Sequence, residues 1–266
     1  MLKLLTVALA GVASAGSLQG QERPESPDGY EREELGVNRY TAPSIAKIFE
    51  QLDQLKPFSY EQMKREFPSS RSASREHRGL IFGGLVADGF LMVEAERKAD
   101  VEELGRILIR EARGLGVAER VMRHSASLTE KAKRGEWTAV RAELVVTQTD
   151  VEQAMIELRD QSMAHLISLG GWLRGLEISA SAVGDDFSAE RARILAQPEL
   201  VQYFTAEVKT FSPQLKTTPL FQKLRSGLER INAVLDKATD EQLTLADVKT
   251  LSAEARELNL AIRRSD

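Results

Sequence analysis

The chain contains no cysteine. That excludes disulfide staples, thiolate nucleophiles and cysteine-based metal sites. Histidine is nearly as scarce: His77, His124 and His165 are the only three among 266 residues. None has a glutamate three positions before it, and no two form an H-x-x-x-H pair. Zinc and di-iron sites in helical proteins rest on such spacings, so no metal is expected. A G-x-S-x-G elbow and a phosphate-cradling P-loop are also missing. Without them the sequence offers no nucleophile or nucleotide motif, and the chain reads as non-enzymatic and free of cofactors.

Neither sign of charge dominates. Lys and Arg number 36 against 40 Asp and Glu, for a formal net charge of −4. That mild acidity argues against a dedicated nucleic-acid binder, which usually carries a basic balance. No apolar run reaches the roughly 20 residues that cross a bilayer. The longest, around Leu80 to Val93, is interrupted by Asp88. Segments alternating with period two are lacking too, so strands are not expected.

What the sequence does contain begins with an export signal. Lys3 supplies a positive charge, and Leu4 to Val12 is apolar apart from Thr6 and Gly11. Ala13-Ser14-Ala15 is a small-x-small cleavage site. This order of charge, short apolar segment and A-x-A defines a secretory signal. The expectation is an exported protein, periplasmic or extracellular, with residues 1–15 removed and no membrane span left. Loss of Lys3 moves the formal charge from −4 to −5. Residues 16–40 hold Pro24, Pro27, Gly29 and few apolar side chains, the composition of a flexible linker.

Residues 41–266 then read as one helical domain. Thr41-Ala42-Pro43 resembles a helix start, Ile45, Ile48, Phe49, Leu52 and Leu55 follow at helical spacing, and Pro57 ends the run. A short helix over 59–67 and a loop from Pro68 to Ser74 come next. A helix over 75–96 is apolar on every face in its middle, which marks a central core element. Two more are expected near 99–114 and 117–134, with Gly114 and Gly116 between them and Gly135 closing the second. From Trp137 a stripe of apolar residues in steps of three and four persists to about residue 180 without proline. Unbroken, it would extend roughly 65 Å, with a bend at Gly170-Gly171. Further helices are expected near 187–210, where Pro198 can split the element, and over 218–238 and 244–264. The fold class is therefore all-α: a bundle or array of about seven to nine helices with one long central helix. Shifting the chain by 87 residues superposes Gly83-Gly84 on Gly170-Gly171 and Glu103-x-x-Arg106-Ile107-Leu108 on Glu190-x-x-Arg193-Ile194-Leu195. That echo leaves room for two repeated helical units.

Two groups of residues are candidates for function. Gly79, Gly83, Gly84 and Ala87 form a smooth face that lets another helix approach closely or that borders a ligand cleft. Asp88 and Arg174 are ionisable residues in apolar helices, each just after a Gly-Gly pair, and each needs a partner if buried. They can pair if the two glycine helices run parallel, and not if they cross antiparallel. Asp88, His165, Arg174 and Glu177 make up the candidate polar site. The second group is Arg106, Arg110 and Arg113, which recur on one helix face and form a candidate anion-binding face. An acidic stretch from Glu136 to Asp160 provides an alternative, neutralising role for the basic helices. The leading functional expectation is an envelope protein that binds a protein or polymer partner through a helical face. The alternative is a small-ligand-binding or enzymatic domain with its site beside the Gly-Gly helices. Convergence of the polar site on one concave pocket favours the alternative.

Overall fold

A computed structural model of the chain describes residues 50, 52–68, 74–239 and 241–264. The expected signal, the linker and most of the helix predicted from Thr41 lie outside the described residues. Among the described residues there is no strand, and eight helices have seven residues or more. The elements are α1 (Tyr60–Met63), α2 (Arg75–Glu94), α3 (Lys98–Leu115), α4 (Ala118–Arg134), α5 (Trp137–Glu157), α6 (Gln161–Asp185), α7 (Ala189–Arg193), α8 (Pro198–Thr210), α9 (Pro213–Lys216), α10 (Pro219–Leu235) and α11 (Leu245–Arg263), with a 3₁₀ turn over Asp236–Thr239.

Local chemistry sets most of the boundaries. Ser74 caps α2 by accepting from the His77 backbone N–H, which satisfies one of the orphan donors of a first turn. Gly116 and Gly135 end α3 and α4 with φ of 82° and 73°, a left-handed conformation that costs glycine nothing. Proline begins α8, α9 and α10, where its missing N–H is harmless. Thr244 and Asp247 form a reciprocal capping box at the start of α11.

The centre of the fold is the pair α2 and α6. Every residue of α2 from Gly79 to Val93 is buried, as its all-round apolar pattern requires. The two helices touch backbone to backbone. A Cβ on Gly83 would lie 1.8 Å from the Ile167 carbonyl oxygen, and one on Gly170 would lie 2.0 Å from that of Leu80. Gly79 faces Met163, Gly83 faces Ile167 and Asp88 meets Arg174. Contacts therefore climb both helices together, and the pair runs parallel. Around this pair, α3 packs on α2, α11 on α6, and α5 on both, while α4 covers α3 and α5. The C-terminal helices close on themselves, α10 against α11 and α8 against α10. Aromatic contacts tie α8 inward, with Trp172 and Phe204 centred 5.2 Å apart.

Two expectations are corrected in detail. The stripe over 137–180 is not one rod but two helices, α5 and α6, and the longest element is the 25-residue α6. Arg159 at φ 58° makes the break. The Asp160 backbone N–H then bonds back to the Met155 carbonyl at 2.7 Å, and the Asp160 carboxylate caps α6 by accepting from the Met163 N–H. No glycine or proline announces this turn, and the apolar spacing runs through it because both helices bury one face. The 87-residue echo holds for the Gly-Gly helices but stops there. The 18-residue α3 corresponds in the second half to the five-residue α7, which ends before Pro198 starts a new helix.

One buried carboxyl links α5 to α6. Glu152 accepts from Gln148 Nε2 at 2.6 Å and from Ser168 Oγ at 2.7 Å. Burial without a cationic partner pushes it up to about 7, against the two hydrogen bonds that favour the charged form. A folded-state value above the unfolded one means stability is full below about pH 4.5 and is lost as pH rises through about 7. Glu152→Gln keeps an acceptor and removes the titration. It is expected to raise stability by about 2 kcal/mol at pH 8, allowing for the partly buried stem, and to change little at pH 4.5. Urea denaturation of parent and variant at both pH values checks this; an equal difference at the two would contradict it.

Candidate functional site

The site is built where the glycine crossing opens towards the C-terminal ends of α2 and α6. Parallel packing brings Asp88 and Arg174 to the same height, and Arg174 Nε donates to Asp88 Oδ1 at 2.7 Å. Both side chains are almost wholly buried. The opposite oxygen, Asp88 Oδ2, accepts from Arg65 Nε at 2.8 Å. Arg65 follows α1, and its Nη2 lies over Gly84, 2.9 Å from where a Cβ would stand. The second Gly-Gly helix therefore contributes a backbone contact and a guanidinium, while the first contributes room for Arg65.

Arg174 uses its whole fork. Its Nη2 donates to the Met63 carbonyl, and its Nη1 lies 2.8 Å from Glu177 Oε2, one turn further along α6. Glu177 in turn lies 3.6 Å from Arg256 Nε of α11. Burial alone would raise Asp88, but the guanidinium groups of Arg65 and Arg174 outweigh it and hold the carboxyl below its usual range. For Arg174, burial is likewise opposed by Asp88 and Glu177, which keep the guanidinium above its ordinary value. Arg65 is lowered by burial, and its attraction to Asp88 is offset by the neighbouring Arg174. All three groups are charged in the folded protein. This is a buried ion network with most of its donors and acceptors matched, the condition under which such groups are tolerated.

Arg65, Arg174 and Glu177 of this network line a cleft of about 250 Å³ between α1 and its following residues, α6 and α11, with Asp88 behind them. Exposed Gln62, Lys64, Arg256 and Leu260 stand at its mouth. Arg263 also lines it, and its Nε is buried without a hydrogen-bond partner. Asn259 fixes the wall by donating to the Leu173 and Ala255 carbonyls at 3.0 and 2.9 Å. The lining is rich in donors. Four of the lining residues are arginines, Arg65, Arg174, Arg256 and Arg263, so the chemistry it offers includes the grip of guanidinium groups.

Of the four residues expected to form the polar site, Asp88, Arg174 and Glu177 converge and His165 does not. His165 precedes Arg174 by nine residues, about two and a half turns, so it projects from the opposite side of α6. There it meets the Tyr203 hydroxyl through Nδ1 and stands 3.5 Å from Glu207. Burial lowers its pKa, against the pull of Glu207. Arg106, Arg110 and Arg113 lie along α3, away from this cleft. Arg110 donates to Glu111 at 2.8 Å and to the Pro68 carbonyl at 2.9 Å. Arg106 and Arg113 are exposed and make no ion pair among the described residues. The acidic segment instead neutralises α4: His124 lies between Glu143 and Asp150 at 2.6 and 2.9 Å, Lys131 meets Glu143, and Arg120 meets Glu157.

Sequence reasoning missed Arg65, Arg256 and Arg263. The two arginines of α11 were findable as a pair, because positions 256, 259 and 263 share one helix face. Nothing in the sequence states which helix that face meets. Arg65 gave no signal, since it sits in an irregular segment after α1.

Fold and cleft together define an all-α protein with an arginine-lined pocket beside a glycine helix crossing. No protein-family model matches the sequence, and no curated protein or solved structure matches it. Among the described residues no group of His, Asp or Glu side chains is arranged to hold a metal ion, and no helix is long and apolar enough to cross a membrane.

Proposed function

We propose that the chain is an exported binding protein of the cell envelope that takes a small ligand in the cleft between α1, α6 and α11. One observation supports this reading: Arg65, Arg174 and Glu177, from two distant stretches of the chain, line a single concave pocket, with Asp88 behind them bridging the two arginines. Export rests on the N-terminal pattern around Lys3, Leu4 to Val12 and Ala13-Ser14-Ala15. A cleft with a few convergent polar groups is the usual form of a ligand site. A second reading, docking of a partner protein, has its own support on the other side of the fold. Met122 is 50% exposed and borders a shallow groove with Ile109 and Ala126 between α3 and α4.

The test uses ¹⁵N-labelled protein purified from the envelope fraction, whose mass should correspond to a chain beginning at Gly16. Titration with a low-molecular-weight envelope extract is expected to shift amide signals of residues 62–65, 174–181 and 256–263. Ser181→Trp, which fills the cleft from α6, should remove those shifts. Shifts clustered on α3 and α4 instead would favour the docking reading, and the absence of any shift would end the ligand reading.

A further inference from the structure

We infer that the cleft receives a phosphoryl group, held by Arg65, Arg256 and Arg263. The inference rests on the reading of the cleft as a ligand site and names its ligand chemistry.

The charges in and beneath the cleft do not balance. Lys64 is matched outside it by Glu61 at 2.6 Å. Among the described residues, that leaves Arg65, Arg174, Arg256 and Arg263 against Asp88 and Glu177, a surplus of two positive charges. Arg174 is the one arginine whose fork is fully used within the protein, on Asp88, Glu177 and the Met63 carbonyl. Arg65 gives its Nε to Asp88, and among the described residues its two Nη groups make no hydrogen bond. Arg256 touches Glu177 only at 3.6 Å. Arg263 has no ion pair among the described residues, and its Nε is buried without an acceptor. Buried donors are nearly always satisfied, so this N–H points to an acceptor that the described residues do not supply.

The geometry of the donors selects the anion. Arg65 approaches from the α1 side, and Arg256 and Arg263 stand two turns apart on α11. A carboxylate offers two oxygens in one plane and one charge. A terminal phosphoryl group offers three acceptor oxygens and close to two charges at neutral pH, which suits three forks from separate directions and the surplus of two. Guanidinium groups bind phosphoryl oxygens in pairs of parallel hydrogen bonds. Glu177 is the competing anion of the site: it lies at the same lip, between Arg174 and Arg256. Asp88 is a positioning residue, because it holds Arg65 in place from behind the lining; Arg174 lines the cleft with its fork engaged by Asp88, Glu177 and the Met63 carbonyl.

The experiment is calorimetric titration of the exported full chain with inorganic phosphate, beside sedimentation with vesicles of phosphatidic acid or of phosphatidylcholine alone. Arg256→Gln and Arg263→Gln are each expected to weaken phosphate binding about tenfold or more, since each removes a hydrogen bond to a charged group. Glu177→Gln is expected to tighten it, and Lys209→Gln, on the exposed face of α8, to leave it unchanged. Binding to phosphatidic acid vesicles that is lost in Arg263→Gln identifies a lipid headgroup as the source; binding to free phosphate alone identifies a soluble phosphate ester. Both outcomes support the assignment. It is overturned if neither probe binds, if Arg256→Gln and Arg263→Gln bind as the parent does, or if acetate displaces phosphate at equal concentration. Should the envelope extract still shift the cleft amides while phosphate does not bind, the ligand-site reading stands and the phosphoryl assignment alone falls.

Discussion

Gly83→Ala is expected to cost more stability than any other single methyl addition to this chain. The new Cβ would stand 1.8 Å from the Ile167 carbonyl oxygen and 2.7 Å from the Gly171 nitrogen. Both are backbone atoms of α6, so no rotamer change relieves the clash and the two central helices must separate. Overpacking that flexible side chains absorb costs about 1–3 kcal/mol. A rigid clash at the heart of the core should exceed that, by our reasoning reaching about 5 kcal/mol, which is a large share of a typical domain's stability. Two other glycine substitutions set the scale. At Gly84 the nearest atom is the flexible Arg65 Nη2 at 2.9 Å, and at Gly184 it is a Val248 methyl at 3.9 Å. Gly84→Ala should be mild, and Gly184→Ala should be neutral or stabilising by up to about 1 kcal/mol from helix propensity. Urea denaturation of the three variants measures the ranking. A Gly83→Ala protein as stable as its parent would mean that α2 and α6 do not touch through their backbones.

Breaking the buried ion network should rank second. Asp88→Asn removes the anion that Arg65 and Arg174 share, and leaves two guanidinium groups close together in the interior. Arg174→Gln leaves Asp88 with Arg65 alone and frees the Met63 carbonyl. Removing one side of a buried pair costs about 3–5 kcal/mol. The double variant should lose less than the sum of the two, with a coupling of about 1–3 kcal/mol, because the residues are in direct contact. Losses that simply add would show that the 2.7 Å contact carries no energy. The network also sets an acid limit. The folded-state value of Asp88 is depressed, with burial overcome by Arg65 and Arg174. Its contribution is therefore present above the unfolded value near pH 4 and is lost as pH falls towards the folded value. Acid unfolding of the parent should be shifted to lower pH relative to Asp88→Asn measured as a stability difference, and the gap between the two should narrow as pH drops below about 4.

The opposing behaviour of Glu152 and Asp88 illustrates how context rather than residue type sets ionisation. Both carboxyls are enclosed by helices. Glu152 finds a serine and a glutamine and is driven towards its neutral form. Asp88 finds two arginines and stays charged. Only the second can anchor a cationic cleft, because a neutral acid would leave Arg65 and Arg174 to repel each other.

The sequence by itself determined what short-range interactions control. Helix periodicity, the Ser74 and Thr244 caps, the left-handed glycines at 116 and 135 and the prolines opening α8 and α10 all act within a few residues of themselves. They fixed the all-α class and most boundaries. The all-round apolar pattern of α2 marked it as central, and the two charges set beside the Gly-Gly pairs marked Asp88 and Arg174 as residues in need of partners. Tertiary structure alone decided the rest. Whether α2 and α6 run parallel depends on the path of the chain between them, and that orientation turns two isolated charges into a pair across 86 residues of sequence. The break at Arg159 was invisible because a residue held in a left-handed turn by its neighbours carries no glycine to announce it. The cleft itself joins Met63 and Arg65, Arg174 and Glu177, and Arg256 and Arg263 from three distant stretches. Helical spacing specifies which residues share a face, but only packing determines which face each one meets.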